Sequence, residues 1–344
     1  MRLEVFDEDF IPERILFREQ QMDRLATNLA PAEFGSRATN TICLGSPATG
    51  KTTVVKYVLN QLQNAKYVYV NCQASRTKQQ IFFKIFEGLR GFYPPRGVSL
   101  QKVFSEAFKK LDSPFVLVLD DANFAEDGVI EETLLAVLKA HEVVEGVKSS
   151  AILISTDLKY LARFSSELLS VFHPDEIYFP PYSEEEIREI LLDRAKLSYV
   201  NFKEEAFEEI VEETANYADL RYGLSLMKQA AIISWKLGKE AVDEECVEMA
   251  KEKGKIVFFK KMILALNEKE KEVLRAIYTS NYKRAAEIFS EVKGMSYSKF
   301  NEILRKLEYL RLIDVVTKYE RGLSSVVVRR FKAEEILKAI EELK

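Results

Sequence analysis

The segment that most limits what this chain can fold into is Gly45-Ser46-Pro47-Ala48-Thr49-Gly50-Lys51-Thr52, which has the form G-x-x-x-x-G-K-[ST]. The apolar run TICLG (41–45) precedes it, and a stretch with helical spacing (51–64) follows. That strand–loop–helix setting is what a phosphate-binding loop requires. Its glycines let backbone N–H groups curl around phosphate oxygens at the positive end of a helix. On this reading Gly45, Ser46, Pro47, Ala48, Thr49, Gly50 and Thr53 border a nucleotide. Lys51 reaches the β and γ phosphates, pointing at phosphate and not into the core, and the Thr52 hydroxyl ligates Mg²⁺.

The surroundings of the loop define an α/β domain. Four further β-rich runs recur downstream: YVYVN (67–71), FVLVLD (115–120), AILIS (151–155) and EIYF (176–179). Near-continuous Val/Ile/Leu/Tyr runs separated by longer helical segments, here 77–89, 100–111 and 131–142, read as buried parallel strands with crossover helices. FVLVLD ends in Asp120-Asp121. A carboxylate at the C-terminal end of a buried strand lies at the ligand-binding rim of such a sheet. Asp120 is therefore the second candidate metal group beside Thr52, and Asp121 is a candidate to polarise an attacking water. Thr156, just past AILIS, sits where a polar side chain can meet the γ-phosphate or that water.

From Ser183 the strand pattern stops. Ser183-Glu-Glu-Glu186 has the form of a capping box, and the apolar spacing then stays helical to about residue 253. The segment KEKGKIVFFKKM around Gly254 reads as a connector. Beyond it come three helical stretches (266–278, 283–292 and 296–312), a hairpin pattern (313–319 and 326–331) and a closing helix (333–344). Three helices with a tight turn before the third, then a hairpin, predict a winged helix-turn-helix. The domains expected are thus 1–182, 183–254 and 255–344. Residues 255–344 carry 20 Lys+Arg against 13 Asp+Glu, a net +7, whereas the whole chain is at −4. A basic module on an acidic body fits a polyanionic partner. On the third helix Tyr297, Ser298, Lys299, Asn301 and Arg305 are candidates to reach duplex DNA, with Ile303, Leu304, Leu307 and Leu310 facing the core. On the hairpin, Lys318, Arg321, Arg329 and Arg330 are candidates to follow the groove or its phosphates.

Other classes are excluded by what is scarce. Three cysteines and two histidines are too few for a disulfide framework, a zinc site or histidine-centred catalysis. No apolar run is long enough to span a bilayer, and the N-terminal MRLEVFDEDF lacks the basic start of a signal peptide. A cytoplasmic protein without a membrane partner is the expectation.

The segments IPERILFREQQMDRLATNL, ATNTICLGSPATGKTTVVKYVL, YVNCQ, FVLVLDDANF, EIYFPPYSEEEIREILLDRA and ADLRYGLSLMKQA together resemble archaeal replication initiators. These are AAA+ ATPases related to the origin recognition complex and the cell-division-control helicase loader. The resemblance runs from about residue 11 to 331. It implies an AAA+ domain, a helical lid and a winged helix, in the order read independently above. It also implies ATP or ADP with Mg²⁺, origin DNA as a partner, and the replicative helicase and paralogous initiators as further partners in a nucleoid-associated protein. By position it assigns Asp120 to the Mg²⁺-associated acid, Thr156 to the first sensor, Arg221 to the second, and Pro12, Arg14 and Arg18 to the border of the base. The chain departs from the family pattern in three places. Asp121 stands where Glu is usual, and Asn123, two residues on, where Asp is usual. Thr156 replaces Asn, and Glu167 takes the place of the arginine finger, with Arg163 nearest. These changes imply a divergent paralogue that binds nucleotide and hydrolyses it slowly. Two other functions fit the same domains: a regulatory ATPase whose winged helix binds protein, and a nucleotide-locked scaffold.

Overall fold

The computed structural model describes residues 1–109, 111–292, 294–310, 312–319 and 323–341. The side chains of 252–261, 309, 316–319 and 323–324 lie outside that description. The chain divides into two compact units, Asp9–Glu186 and Met1–Glu8 with Ile187–Lys344.

The first unit holds α1 (Glu19–Glu33), β1 (Thr41–Leu44), α2 (Lys51–Leu59), β2 (Lys66–Asn71), α3 (Lys78–Arg90), α4 (Leu100–Phe108), β3 (Phe115–Asp120), α5 (Val129–Leu138), α6 (Ala140–Val143), β4 (Ser149–Ser155), α7 (Ser166–Phe172) and β5 (Asp175–Tyr178). The strands pair in parallel in the order β2-β3-β4-β1-β5. Each of the five expected strands is present. Side-chain alternation sends their apolar residues to opposite faces, as a pleated strand buried on both sides must. Ile42, Leu44, Leu117, Leu119 and Leu153 join the core beneath α3, α4 and α5. Cys43, Val116, Val118, Ile152 and Ile154 join the core beneath α1 and α2. The order inserts β4 between β1 and β3. The C-terminal end of β4 therefore lies between the loop that follows β1 and the acid that ends β3. Helix α2 stops at Leu59, five residues short of the expected end, because Asn60 caps it before the exposed turn into β2.

The second unit continues with α8 (Glu184–Ser198), whose first turn contains the division, then α9 (Glu204–Tyr217), α10 (Leu220–Lys236), α11 (Glu244–Leu264), α12 (Glu268–Thr279), α13 (Ala285–Glu291), α14 (Tyr297–Tyr309), β6 (Ile313–Tyr319), β7 (Leu323–Arg329) and α15 (Ala333–Glu341). Three expectations are corrected here. The connector at Gly254 is interior helix, since α11 runs unbroken from Glu244 to Leu264 behind its Asp243 cap. A glycine inside a helix costs only about 1 kcal/mol against alanine, which flanking helix formers offset. The return strand begins at Leu323, not at 326. Residues 1–8 belong with the lid, not with the ATPase unit. The Arg2 amide donates to Ser198 O at 2.8 Å, the Arg194 guanidinium donates to Val5 O at 3.2 Å, and Lys228 pairs with Asp7.

Lid and winged helix share packing. Tyr217 stacks on Tyr222 at 4.3 Å and on Phe331, just past β7, at 5.2 Å between ring centroids. Beside this stack α10 lies close against α9. A Cβ added at Gly223 would meet Thr214 Oγ1 at 2.3 Å and Cγ2 at 2.7 Å. Gly223→Ala should therefore cost stability despite its better helix propensity, by a net of about 1–2 kcal/mol. A lowered urea midpoint, largely recovered in Gly223→Ala with Thr214→Ala, is the expected result. An unchanged midpoint in the single variant would contradict the packing.

Candidate functional site

The loop between β1 and α2 is shaped by its two glycines. A Cβ at Gly45 would lie 2.4 Å from Phe179 O, so only glycine lets β1 hand over to the loop beside the end of β5. Gly50 caps α2 in the left-handed region, at φ 87°, and a Cβ there would lie 2.7 Å from the Tyr182 hydroxyl. The segment 45–50 thus opens at the N-terminus of α2, with the first-turn amides directed to the loop. Lys51 is buried. Its ammonium donates to Gly45 O at 2.8 Å and to Ser46 O at 2.7 Å, and lies 3.4 Å from Thr49 Oγ1. Its charge is compensated by the loop's own carbonyls, so the ammonium lies in the loop and not in the apolar core.

Across the loop from Lys51, the Thr52 hydroxyl donates to Asp120 Oδ2 at 2.8 Å. The Tyr69 hydroxyl, from β2, donates to the same oxygen, and the Asp121 amide donates to Asp120 Oδ1 at 2.9 Å. Asp120 is almost wholly buried, and burial together with this carboxylate pushes the Tyr69 phenol well above its ordinary range. A hydroxyl and a carboxylate brought together are hard oxygen donors, the kind Mg²⁺ takes alongside phosphate oxygens and waters. Among the described residues no group of three His, Cys, Asp or Glu side chains could hold a metal unaided. A metal at Thr52 and Asp120 would therefore draw its remaining ligands from phosphate and water.

Asp121 follows in the left-handed region, at φ 54°, and opens a short 3-10 turn, Ala122–Phe124. That turn brings Asn123 to the end of β4. Asn123 Oδ1 accepts from Ser155 Oγ at 3.3 Å and from the Thr156 amide and hydroxyl at 3.4 Å each. Thr156 and the residue that replaces the family's usual acid are thus partners. Reading positions one at a time could not couple them.

The N-terminal stretch meets the loop through Arg18. Arg18 is buried and faces backbone: Nε donates to Thr49 O at 2.9 Å, Nη1 to Phe17 O at 2.7 Å and Nη2 to Pro180 O at 2.7 Å. Its guanidinium lies 3.7 Å from the centre of the Tyr182 ring, and burial draws its pKa down. Arg18 is a strut that joins the phosphate loop to the chain after β5. Pro12 is buried and Arg14 exposed. Near the finger position, Arg163 pairs with Asp157 at 2.5 Å and Glu167 with Lys139 at 2.7 Å. Arg221, in the other unit, pairs with Asp219 at 2.8 Å, and Asp219 also caps α10.

The candidate DNA surface divides in two. On α14, Ile303, Leu304 and Leu307 are buried and Leu310 is half-buried, leaving Tyr297, Ser298, Lys299 and Arg305 exposed with Asn301 half-buried. Ser296 caps this helix. Lys299 pairs with Glu302 at 2.9 Å, an exposed pair that phosphate can displace. The hairpin arginines are engaged within the fold. Arg329 donates to Ile277 O at 2.8 Å and to Ser280 O, covering the C-terminal carbonyls of α12. Arg330 lies 3.6 Å from Asp314, across the hairpin. Arg329 is thus occupied within the fold, whereas the Arg330 pair is a long one to a half-exposed carboxylate, which a phosphate can displace. Arg321 and the side chain of Lys318 lie outside the described residues.

Comparison with known proteins agrees with this architecture. An AAA domain family model matches residues 34–155. The chain is 34% identical to ORC1-type DNA replication protein 2 of Archaeoglobus fulgidus, covering 98% of this chain and 92% of that protein. The fold superposes on the Aeropyrum pernix ORC1 protein in complex with DNA with a TM-score of 0.74 at 22% identity, covering 99% and 96% of the two chains. It also superposes on the Aeropyrum pernix ORC2 protein in its ADPNP-ADP complexes with a TM-score of 0.72 at 19% identity, covering 99% and 97%. The chain belongs to the ORC1-type DNA replication proteins, with an AAA+ domain, a helical region and a winged helix.

Arg18 makes a direct prediction. Arg18→Ala strips a charged donor from three carbonyl oxygens, and hydrogen bonds to charged groups are each worth about 1.5–3 kcal/mol. The variant should lose at least about 2 kcal/mol of unfolding free energy in urea. Arg18→Lys should restore little, because an ammonium cannot reproduce the planar fork. Full stability in Arg18→Lys would contradict the strut.

Proposed function

We propose that this protein is a replication initiator that binds origin DNA through its winged helix and holds ATP or ADP with Mg²⁺ in the loop 45–50. The observation that carries the reading is the conjunction of two features in one ORC1-type chain: Thr52 hydrogen-bonded to Asp120 beside the phosphate loop, and an exposed polar face on α14. The relatives, an ORC1-type DNA replication protein and an ORC1 protein in complex with DNA, support DNA as the partner. The ADPNP-ADP complexes of a structural neighbour support the nucleotide.

Within this reading Lys51 meets the β and γ phosphates, exchanging loop carbonyls for phosphate oxygens. Thr52 and Asp120 hold the metal, directly and through water respectively. Asp121 polarises water, and Thr156, held by Asn123, meets the γ-phosphate. Turnover is slow, since an Asp ends one methylene short of the usual Glu and a displacement of about 1 Å can cost on the order of a hundredfold in rate. The absence of an arginine at position 167 adds to this. Arg221 serves as the second nucleotide sensor on the family resemblance. Recruitment of a replicative helicase and pairing with a paralogous initiator belong to the same proposal. Among the described residues no helix is long and apolar enough to cross a membrane.

Footprinting of the purified protein on genomic origin fragments, with ATP and with ADP, tests the function. Protection of a discrete site that responds to nucleotide supports it, and uniform absence of protection contradicts it. Two variants test the surface. Arg305→Ala should weaken binding to the protected fragment by about 1–3 kcal/mol, as loss of a base-reading arginine does. Arg329→Ala should lower thermal stability while leaving the salt dependence of DNA binding unchanged, because its guanidinium already serves α12. The opposite pattern, measured by fluorescence anisotropy across salt concentrations, would return Arg329 to the interface.

A further inference from the structure

Tyr69 is used by none of the roles above, yet its hydroxyl meets the candidate metal acid. Asp120 has one oxygen, Oδ2, that accepts both the Thr52 and the Tyr69 hydroxyls, and another, Oδ1, that accepts the Asp121 amide. A carboxylate offers about four acceptor positions, so roughly one remains. Tyr69 is also held in place. It lies in β2, paired with Val118 in β3, and its half-buried ring packs against the core beneath α1 and α2. Lys56 Nζ lies 4.7 Å from the ring centre, from a position four residues past Thr52 on α2. The tyrosine is thus fixed between the strand that ends in Asp120 and the helix that begins at the phosphate loop.

We infer that Tyr69 is a positioning residue of the metal site, whose hydroxyl occupies an acceptor position on Asp120 that a metal-bound water otherwise takes. The inference rests on the nucleotide reading above. A carboxylate that accepts a phenolic O–H has less acceptor capacity to offer a hydrated cation. Tyr69 therefore raises the Mg²⁺ concentration at which nucleotide is held, without touching nucleotide or metal. A bond that merely satisfied a buried carboxylate would contribute to folding alone, and its loss would leave the metal dependence unmoved.

Tyr69→Phe keeps the ring, its packing and its contact with Lys56, and removes the hydroxyl. The experiment titrates Mg²⁺ against binding of a fluorescent ATP analogue to the full chain, with a parallel titration in EDTA and thermal unfolding of each protein. The expected result is a half-saturating Mg²⁺ concentration about three- to tenfold lower in Tyr69→Phe, the range one hydrogen bond commands, with nucleotide affinity in EDTA within about twofold of wild type. Tyr69→Leu, a second variant lacking the donor, should shift the Mg²⁺ midpoint in the same direction if the Phe variant folds poorly. A midpoint that is unchanged or raised while wild type still responds to Mg²⁺ overturns this inference and leaves the nucleotide reading intact. Wild-type protein that binds no nucleotide, or binds it without regard to Mg²⁺, overturns the nucleotide and metal reading and this inference with it.

Discussion

The hydrogen bond from Thr52 to Asp120 ties together the two parts of the chain on which the first unit is organised. Thr52 lies in the first turn of α2 and Asp120 ends β3, 68 residues later. Between them the sheet order places β4, whose end delivers Ser155 and Thr156 to Asn123. The loop closes on its other side through Arg18, which reaches Thr49 O and Pro180 O. Each of these groups would be costly to bury alone. Together they form a network in which nearly every charge meets an oppositely polarised neighbour. Within the loop the buried Lys51 ammonium lies against the carbonyl oxygens of Gly45 and Ser46.

The second unit follows a different economy. Its lid helices pack closely, as the contact between Gly223 and Thr214 shows, and the Tyr222–Tyr217–Phe331 stack carries that packing to the winged helix. Arginines at the base of the hairpin serve this architecture. Arg329 takes the carbonyl ends of α12, and on α14 the side chains of Tyr297, Ser298, Lys299 and Arg305 are exposed.

The parts legible in the sequence were those that depend on local periodicity and on a motif with fixed spacing. The five strands, the phosphate loop and the core face of α14 are of this kind, because burial on a strand or helix leaves a repeat of apolar residues. What escaped depends on contacts across long separations. Nothing near Arg18 in the chain says that it will meet Pro180, and nothing in YVYVN says that one hydroxyl will reach Asp120. Arg329 and Arg330 look alike on a wing until the α12 carbonyls and Asp314 are beside them. Gly254 reads as a break only while the Asp243 cap and the length of α11 are unknown. Asn123 was visible as a departure from the family pattern, but its bond to Thr156 needed the fold.

The claim that most of this account depends on is that the loop 45–50, with Lys51 at its centre, holds the phosphates of a nucleotide. Equilibrium titration of a fluorescent ATP analogue into wild type and Lys51→Ala, each checked for folding by circular dichroism, tests it most directly. A folded variant whose affinity falls by at least about tenfold is expected, since an ammonium that meets phosphate contributes charge-assisted hydrogen bonds. Equal affinity in the two folded proteins would contradict it.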